Sequence, residues 1–376
     1  MSSGLNMSRR IRRTPYTDRV EARGVRGFSV VNHMLLPKAF GPTIEEDYWH
    51  LSEHVQIWDV SCQRQVELRG RDAARLAQWM TPRNLGRAKV GQCLYVPLVD
   101  EMGGLVNDPI LLKLADDHFW LSIADSDVLL WAKGLALGAR LDVSVNEPDV
   151  SPLAIQGPKA QALMEAVFGA AVGKLKFFQF GRFSFRDTHQ IIARSGYSNQ
   201  DGFEIYLHDG KLGGALWDTL WEAGQTFNIA PGCPNLIDRV EAGLLSYGNE
   251  MTRDNNPLEC GLQKYCQLDG SIEFIGRDAL TRINEDGVER QIRGVFFDGE
   301  PCPACGKPWP VSPLGHEDVH IGQVTTAAYS PRFKRNIGLT MIERSYWNKG
   351  QPVTITSSDG ERRTGEVTSL PFTPNA

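Results

Sequence analysis

The side chains in this sequence best suited to chemistry are scattered, and each sits inside an otherwise apolar segment. In DEMGGLVNDPILLKL, residues 100–114, two glycines precede a single carboxylate, Asp108, wedged between Asn107 and Pro109 just before an apolar run. Taken alone, an acid in that place caps a turn by accepting from neighbouring backbone N–H groups. In DGFEIYLH, Glu204 and Tyr206 stand two residues apart, on one face of any strand the segment forms. Alternation alone makes Glu204 the outward, solvated member of that strand. By type, Tyr95 in GQCLYVP is a core or interface tyrosine, and Arg239 in DRVEAG a helix-surface charge.

Other motifs lead away from common chemistries. No GxGxxG follows a strand, and GAAVGKL has the wrong spacing for a phosphate loop and Leu where Ser or Thr is needed. Cys302, Cys305, His316 and His320 could complete a tetrahedral zinc site by ligand type. The stretch between them, GKPWPVSPLG, carries three prolines and no helix to present the histidines together. The expectation is a solvent-facing loop with incidental cysteines, and no metal.

The chain has 376 residues and a formal net charge of −5, with 23% charged residues spread evenly. At about 150 residues per domain this length holds two or three domains. No basic field for nucleic acid exists, and a small-molecule partner is expected. Lys133 and Arg140 interrupt the most apolar stretch, so no membrane span is expected. Seven widely spaced cysteines, mostly in apolar segments, fit reduced thiols in a cytoplasmic protein. The N-terminus, MSSGLNMSRRIRRTPYTDR, lacks an acid before Asp18, as transit peptides do, yet it is short and barely amphipathic. It is expected to be a flexible basic arm.

Periodicity supplies the elements. PTIEEDYWHLSEHVQIWDV places Tyr48, Leu51, Val55 and Trp58 at helical spacing behind a Thr N-cap, which predicts one helix. RQVELRG alternates as a strand, and RDAARLAQWMTPRNL is a helix closed by Pro82. Residues 91–124 predict three strands with turns at Gly103-Gly104 and Asp116-Asp117. LAIQGPKAQALMEAVFG gives a strand end and a helix running to Gly169. FSFRDTHQIIARSGYSNQDGFEIYLH predicts a hairpin connected by loop 196–202, followed by the helix LGGALWDTLWEAG. Beyond Gly276, five short strands between Pro and Gly turns predict a separate β-barrel or sandwich.

Taken in order, GQCLYVPLVDEMGGLVND, SPLAIQGPKA, SGYSNQDGFEIYL, DRVEAGLLSYGNEMTRDNNPLECGL, FIGRDAL and GQVTTAAYSPRFKRNIGLTMI resemble the signature segments of the glycine-cleavage T-protein superfamily of tetrahydrofolate-dependent methyl and aminomethyl transferases. The resemblance spans residues 25–372 in one register. The N-terminal third resembles the branch that demethylates dimethylsulfoniopropionate (DMSP). It implies an α+β fold of the T-protein cloverleaf type, with a folate-binding domain from 1–65 and 185–278, a second α+β domain over 66–184 carrying GGLVND, a C-terminal β-barrel over 279–376, and a central folate channel. It implies tetrahydrofolate as methyl acceptor, neither flavin nor metal, and the two small molecules as partners, with a homodimer left open.

By that resemblance Glu204 accepts the N–H and exocyclic amine of a pterin, Tyr206 and Tyr95 flank the folate, Arg239 lies near it, and Asp108 is catalytic. Aromatic faces attract a sulfonium as they do other onium groups, which points first to Tyr206 and then to Trp120. T-proteins usually carry two adjacent aspartates and a GYTGED loop. This chain has Asn107-Asp108 and GYSNQD, with Gln200 in place of an acid, which favours simple methyl transfer over aminomethyl cleavage. An aminomethyltransferase, a demethylase of another methylated compound, and a non-catalytic folate-binding protein stay open at this point.

Overall fold

In the computed structural model, which describes residues 8–125 and 127–373, the chain forms two compact units. The first takes the described residues up to Ala77, Leu85–Val96 and Pro109–Asn235; the second takes Gln78–Asn84, Pro97–Asp108 and Leu236 onward. The start of the Arg-rich N-terminal segment lies outside the described residues.

The first unit is built on two large sheets, beside a two-stranded hairpin of Gly27–Val31 and Met34–Ala39. The larger runs in the order Phe180–Phe185, Thr188–Ala193, Gly202–His208, Val150–Gln156, Val55–Asp59, Ile229–Gly232, antiparallel except for the last pair. Alternation sends Leu153, Ile155, Phe203, Ile205 and Leu207 to one face, where Leu163, Met164, Leu216, Trp217 and Leu220 of helices Ala160–Phe168 and Gly213–Gly224 cover them. Each such side chain, fully buried, contributes about 1.5–3 kcal/mol. The smaller sheet runs Ser144–Asn146, Gln65–Arg69, His118–Ser122, Ile110–Ala115, Cys93–Tyr95.

Several expectations need correction. The N-terminal segment is not a loose arm from Thr14 onward. Tyr16 and Val20, one helical turn apart, are fully buried in the core under the larger sheet, and Tyr16 donates to the Ser151 carbonyl at 3.1 Å. The Thr14 hydroxyl donates to the buried carboxylate of Asp59 at 2.5 Å. The early helix does start at Thr43, with a capping box to Glu46, but it spans only Ile44–Glu53. Val55 and Trp58 belong to a strand buried along its whole length, and a short apolar run of that kind carries no period to tell it from a helix.

The three strands expected over residues 91–124 are five, because Pro97 and Pro109 interrupt the run. Leu98–Val99 and Leu105–Asn107 form their own hairpin in the second unit. The segment read as a single hairpin is a three-stranded meander, since Arg186, with φ 50°, turns Phe180–Phe185 back onto Thr188–Ala193.

The second unit carries a closed six-stranded barrel: Arg290–Phe297, Arg335–Glu343, Gly322–Ser330, Trp309–Pro313, Pro352–Thr356, Arg362–Thr368. Its sixth strand, Trp309–Pro313, was hidden among the prolines, yet Trp309 and Val311 point inward with Pro310 exposed between them. Cys302 and Cys305 do not sit on a solvent-facing loop. Both pack against the barrel core, and burial pushes each thiol up to about 11. Among the described residues no group of three or more His, Cys, Asp or Glu side chains is placed to hold a metal, and no helix is long and apolar enough to cross a membrane.

The Gly103-Gly104 turn is shaped by Asp100, whose carboxylate accepts from the N–H groups of Met102 and Gly104 at 3.0 and 2.8 Å. Gly103 holds φ +80°, and a Cβ on Gly104 would lie 2.5 Å from the Arg253 carbonyl oxygen. Gly104→Ala therefore forces backbone apart, and a loss of about 1–3 kcal/mol in stability is expected. Chemical denaturation checks it; an unchanged midpoint would show that the hairpin tolerates a wider turn.

Candidate functional site

The face of the larger sheet opposite its helices is polar and still buried. Registry lays Ala193, Glu204, Ala154 and Trp58 side by side across four strands. Glu204 is only 6% exposed, so it is not the solvated strand residue that alternation suggested. The reason is that Gly202–His208 is an inner strand with both faces covered. Its two in-register neighbours are alanines, which leave space on either side of the carboxylate.

The bonding of that carboxylate is lopsided. Ser195 Oγ donates to Oε2 in a very short hydrogen bond, and the Tyr206 hydroxyl donates to the same oxygen at 3.4 Å. Among the described residues no donor reaches Oε1. Burial raises the Glu204 pKa, and the two hydroxyls offset part of that rise.

Tyr206 is 1% exposed and sits where the two sheets of this unit meet. Burial raises the pKa of its hydroxyl, a rise that neighbouring Ser122 partly offsets, and its ring lies 6.3 Å from that of Trp120. Trp120 is itself packed in an apolar cluster with Cys93, Leu112 and Ile191. It packs beside Tyr206 in that cluster. Tyr95, half-buried, ends the edge strand Cys93–Tyr95 in one row with Ile110, Ser122 and Gln65. The structure thus brings Glu204, Tyr206 and Trp120 together, with Tyr95 on the adjoining sheet.

Asp108 and Arg239 belong to the other unit. Asp108 is half-buried between the strand that ends at Asn107 and Pro109, and its charge helps raise the pKa of Cys260, after burial and Glu259. The strand before it is fastened by Leu105, whose N–H donates to the Asn255 carbonyl at 2.8 Å and whose carbonyl accepts from the Tyr247 hydroxyl at 3.0 Å. Arg239 is 6% exposed and not a helix-surface charge. Its guanidinium forks onto Glu250 at 2.9 and 3.2 Å and donates to Thr326 and the Leu244 carbonyl, both at 3.1 Å. Most of its donors are thus committed within its own unit.

Sequence reasoning missed Ser195, Ser122 and Gln156. Gln156, fully buried, donates to the Ser195 carbonyl at 3.2 Å and accepts from Ser198 Oγ at 2.7 Å, fixing the loop that delivers Ser195. Gly196 and Gly202 make this possible, since a Cβ on either would overlap the Gln156 amide. The available signal was alternation: Ser122 follows Trp120 by two residues and shares its face.

Two family models match, the GCVT N-terminal domain over residues 16–270 and the glycine cleavage T-protein C-terminal barrel domain over 290–373. The chain belongs to the glycine-cleavage T-protein family. The crystal structure of glycine cleavage system aminomethyltransferase T from Bartonella henselae has the same fold, with a TM-score of 0.84 at 24% identity, covering 97% of this chain and 98% of that one. Within the family, the dimethylsulfoniopropionate demethylase of Ruegeria pomeroyi is 48% identical over 355 residues, 94% of this chain and 96% of its own. An aminomethyltransferase of Thermoanaerobacter is 31% identical over 317 residues, 81% of this chain and 84% of its own.

Because folding raises the Glu204 pKa, the unfolded chain releases this proton first as pH rises. The stability tied to the neutral carboxyl is complete below the unfolded value and is lost as pH climbs through the folded one. Glu204→Gln removes that loss. Its melting temperature is expected to exceed the parent's at pH 8 and to match it near pH 4; a variant less stable at pH 8 would contradict the assignment.

Proposed function

We propose that this protein is a tetrahydrofolate-dependent demethylase that moves an S-methyl group from dimethylsulfoniopropionate to N5 of tetrahydrofolate, leaving 3-(methylthio)propionate. The observation that carries the folate part is the lopsided carboxylate of Glu204, buried between two alanines with Oε1 accepting nothing from the described residues. A carboxylate on a side chain this deeply buried gains from every donor that reaches it. The N–H and exocyclic amine of a pterin are such donors, and the long 3.4 Å bond from Tyr206 leaves Oε2 room for the second. The methyl donor follows from the similarity to the Ruegeria protein and from the amides at Asn107 and Gln200, where aminomethyl chemistry usually has acids.

When bound, tetrahydrofolate supplies the nitrogen that accepts the methyl group. The protein's task is to orient and to balance charge. Glu204 fixes the pterin edge, Ser195 and Tyr206 fix Glu204, and Tyr95 borders the same region from the second sheet. The sulfonium is already an activated methyl donor, so holding the two reactants in line supplies most of the rate. Positive charge passes from sulfur to N5, which then releases its proton to give 5-methyltetrahydrofolate, and Asp108 is assigned the fixed negative charge that offsets desolvation of the cation during the transfer. Arg239, expected near the folate, holds Glu250 and the barrel strand at Thr326.

The test is anaerobic incubation with tetrahydrofolate and dimethylsulfoniopropionate, reading 5-methyltetrahydrofolate and 3-(methylthio)propionate by mass spectrometry, with an aminomethylated lipoyl protein as parallel donor. Equal amounts of the two sulfonium-derived products are expected; methylene-tetrahydrofolate and ammonia from the lipoyl donor alone would reassign the protein as an aminomethyltransferase. Asp108→Asn should keep its melting temperature and lose about tenfold or more in methyl-transfer rate. Undiminished turnover would remove Asp108 from the chemistry.

A further inference from the structure

Behind Tyr206 lies a titratable cluster with no part in the reaction above. Strand Gln65–Arg69 lies antiparallel to His118–Ser122, with Gln65 opposite Ser122, Glu67 opposite Trp120 and Arg69 opposite His118. Residues in register share a sheet face, so two side chains of one strand are delivered to two of the next. Gln65 Nε2 donates to Ser122 Oγ at 2.9 Å. Glu67 Oε1 accepts from the Trp120 indole N–H at 3.2 Å and meets His118 Nε2 at 2.7 Å. The His208 ring stands edge-on to the indole at 5.1 Å, closing its other side.

Both recipients neighbour Tyr206, Ser122 on the side of its hydroxyl and Trp120 at its ring, in one apolar cluster with it. A carboxylate with only about a fifth of its side chain exposed, bonded to an indole that is itself 3% exposed, is an expensive arrangement for an ordinary core. An apolar residue in place of Glu67 would fill the space without it. We propose that Glu67 is a positioning residue for methyl transfer, which locks the Trp120 indole, and through it the Tyr206 ring, so that the Tyr206 hydroxyl stays aimed at Glu204 Oε2. Gln65 does the same for the hydroxyl end through Ser122. Strand Gln65–Arg69 is thereby a template that sets the acceptor geometry of Glu204 from two residues away. The inference rests on the reading of Glu204 as the pterin-binding carboxylate.

The experiment is a double-mutant cycle on Glu67 and Trp120, reading tetrahydrofolate affinity by anaerobic calorimetry, kcat and KM by turnover, and melting temperature. Glu67→Ala is expected to weaken tetrahydrofolate binding about tenfold and to lower kcat/KM. Glu67→Gln, whose amide oxygen still accepts from the indole, should restore both. In a Trp120→Phe background, which keeps a ring but has no N–H, Glu67→Ala should add nothing further. A Glu67→Ala protein that melts earlier while affinity and kcat/KM stay at parental values would overturn the inference, as would an undiminished effect in the Trp120→Phe background. If Glu67→Ala does not fold, Trp120→Phe alone must show the weakened affinity for the inference to stand. Glu204→Gln run alongside separates the two levels: unchanged folate affinity there overturns both readings, whereas weakened affinity there with none in Glu67→Ala overturns only the template.

Discussion

The arrangement of the first unit turns on one constraint, a carboxylate held in the middle of a sheet. Removing such a charge from water costs several kcal/mol even after relaxation. The chain offsets part of that cost with two hydroxyls, Ser195 and Tyr206, both directed at one oxygen. Each hydroxyl needs its own support. Ser195 is carried by a loop that bonds Gln156 and can approach it only because residues 196 and 202 are glycines. Tyr206 is wedged where the two sheets meet. Both hydroxyls that reach Glu204 are thus directed at one of its two oxygens.

The second unit obeys a related rule with a different outcome. Here several buried charges are paired with each other or with hydroxyls. Arg239 and Glu250 form a forked pair that also engages Thr326 on a barrel strand, and Glu241 accepts from Ser330 on the same strand at 2.5 Å. Breaking one partner of such a pair strands the other, which explains why these side chains serve cohesion. Asp100 likewise spends its carboxylate on turn N–H groups and on Arg253 at 3.3 Å.

What the sequence made legible follows from which signals are local. Turn chemistry and amphipathic period correctly located the Gly103-Gly104 turn, the helices Ala160–Phe168 and Gly213–Gly224, and five of the barrel strands. The errors fell where burial is set by distant neighbours. Val55–Asp59 is covered on both faces, so its residues show no period, and Trp309–Pro313 alternates properly but carries prolines. Glu204 is the sharpest case. Alternation assigned its face correctly and its solvent exposure wrongly, because nothing within DGFEIYLH records that strands lie on both sides of it. The same blindness hid Ser195 and Glu67, whose meaning depends on pairing with residues 204 and 120.

The count of acids bears on the kind of group transferred. Releasing ammonia from an aminomethyl group requires protons to be moved, and additional carboxylates serve that purpose. A methyl group leaving a sulfonium needs no proton moved in the transfer itself: the substrate brings one positive charge, the methylated nitrogen holds one, and that nitrogen then sheds its own proton to reach the neutral product. A single carboxylate therefore balances the one positive charge present during such a transfer, and a second would add desolvation cost without a charge to neutralise. Position 107 fits this reasoning. Its side chain is fully buried in the strand that precedes Asp108, where an amide keeps the shape of an aspartate and its capacity for hydrogen bonds while carrying no charge.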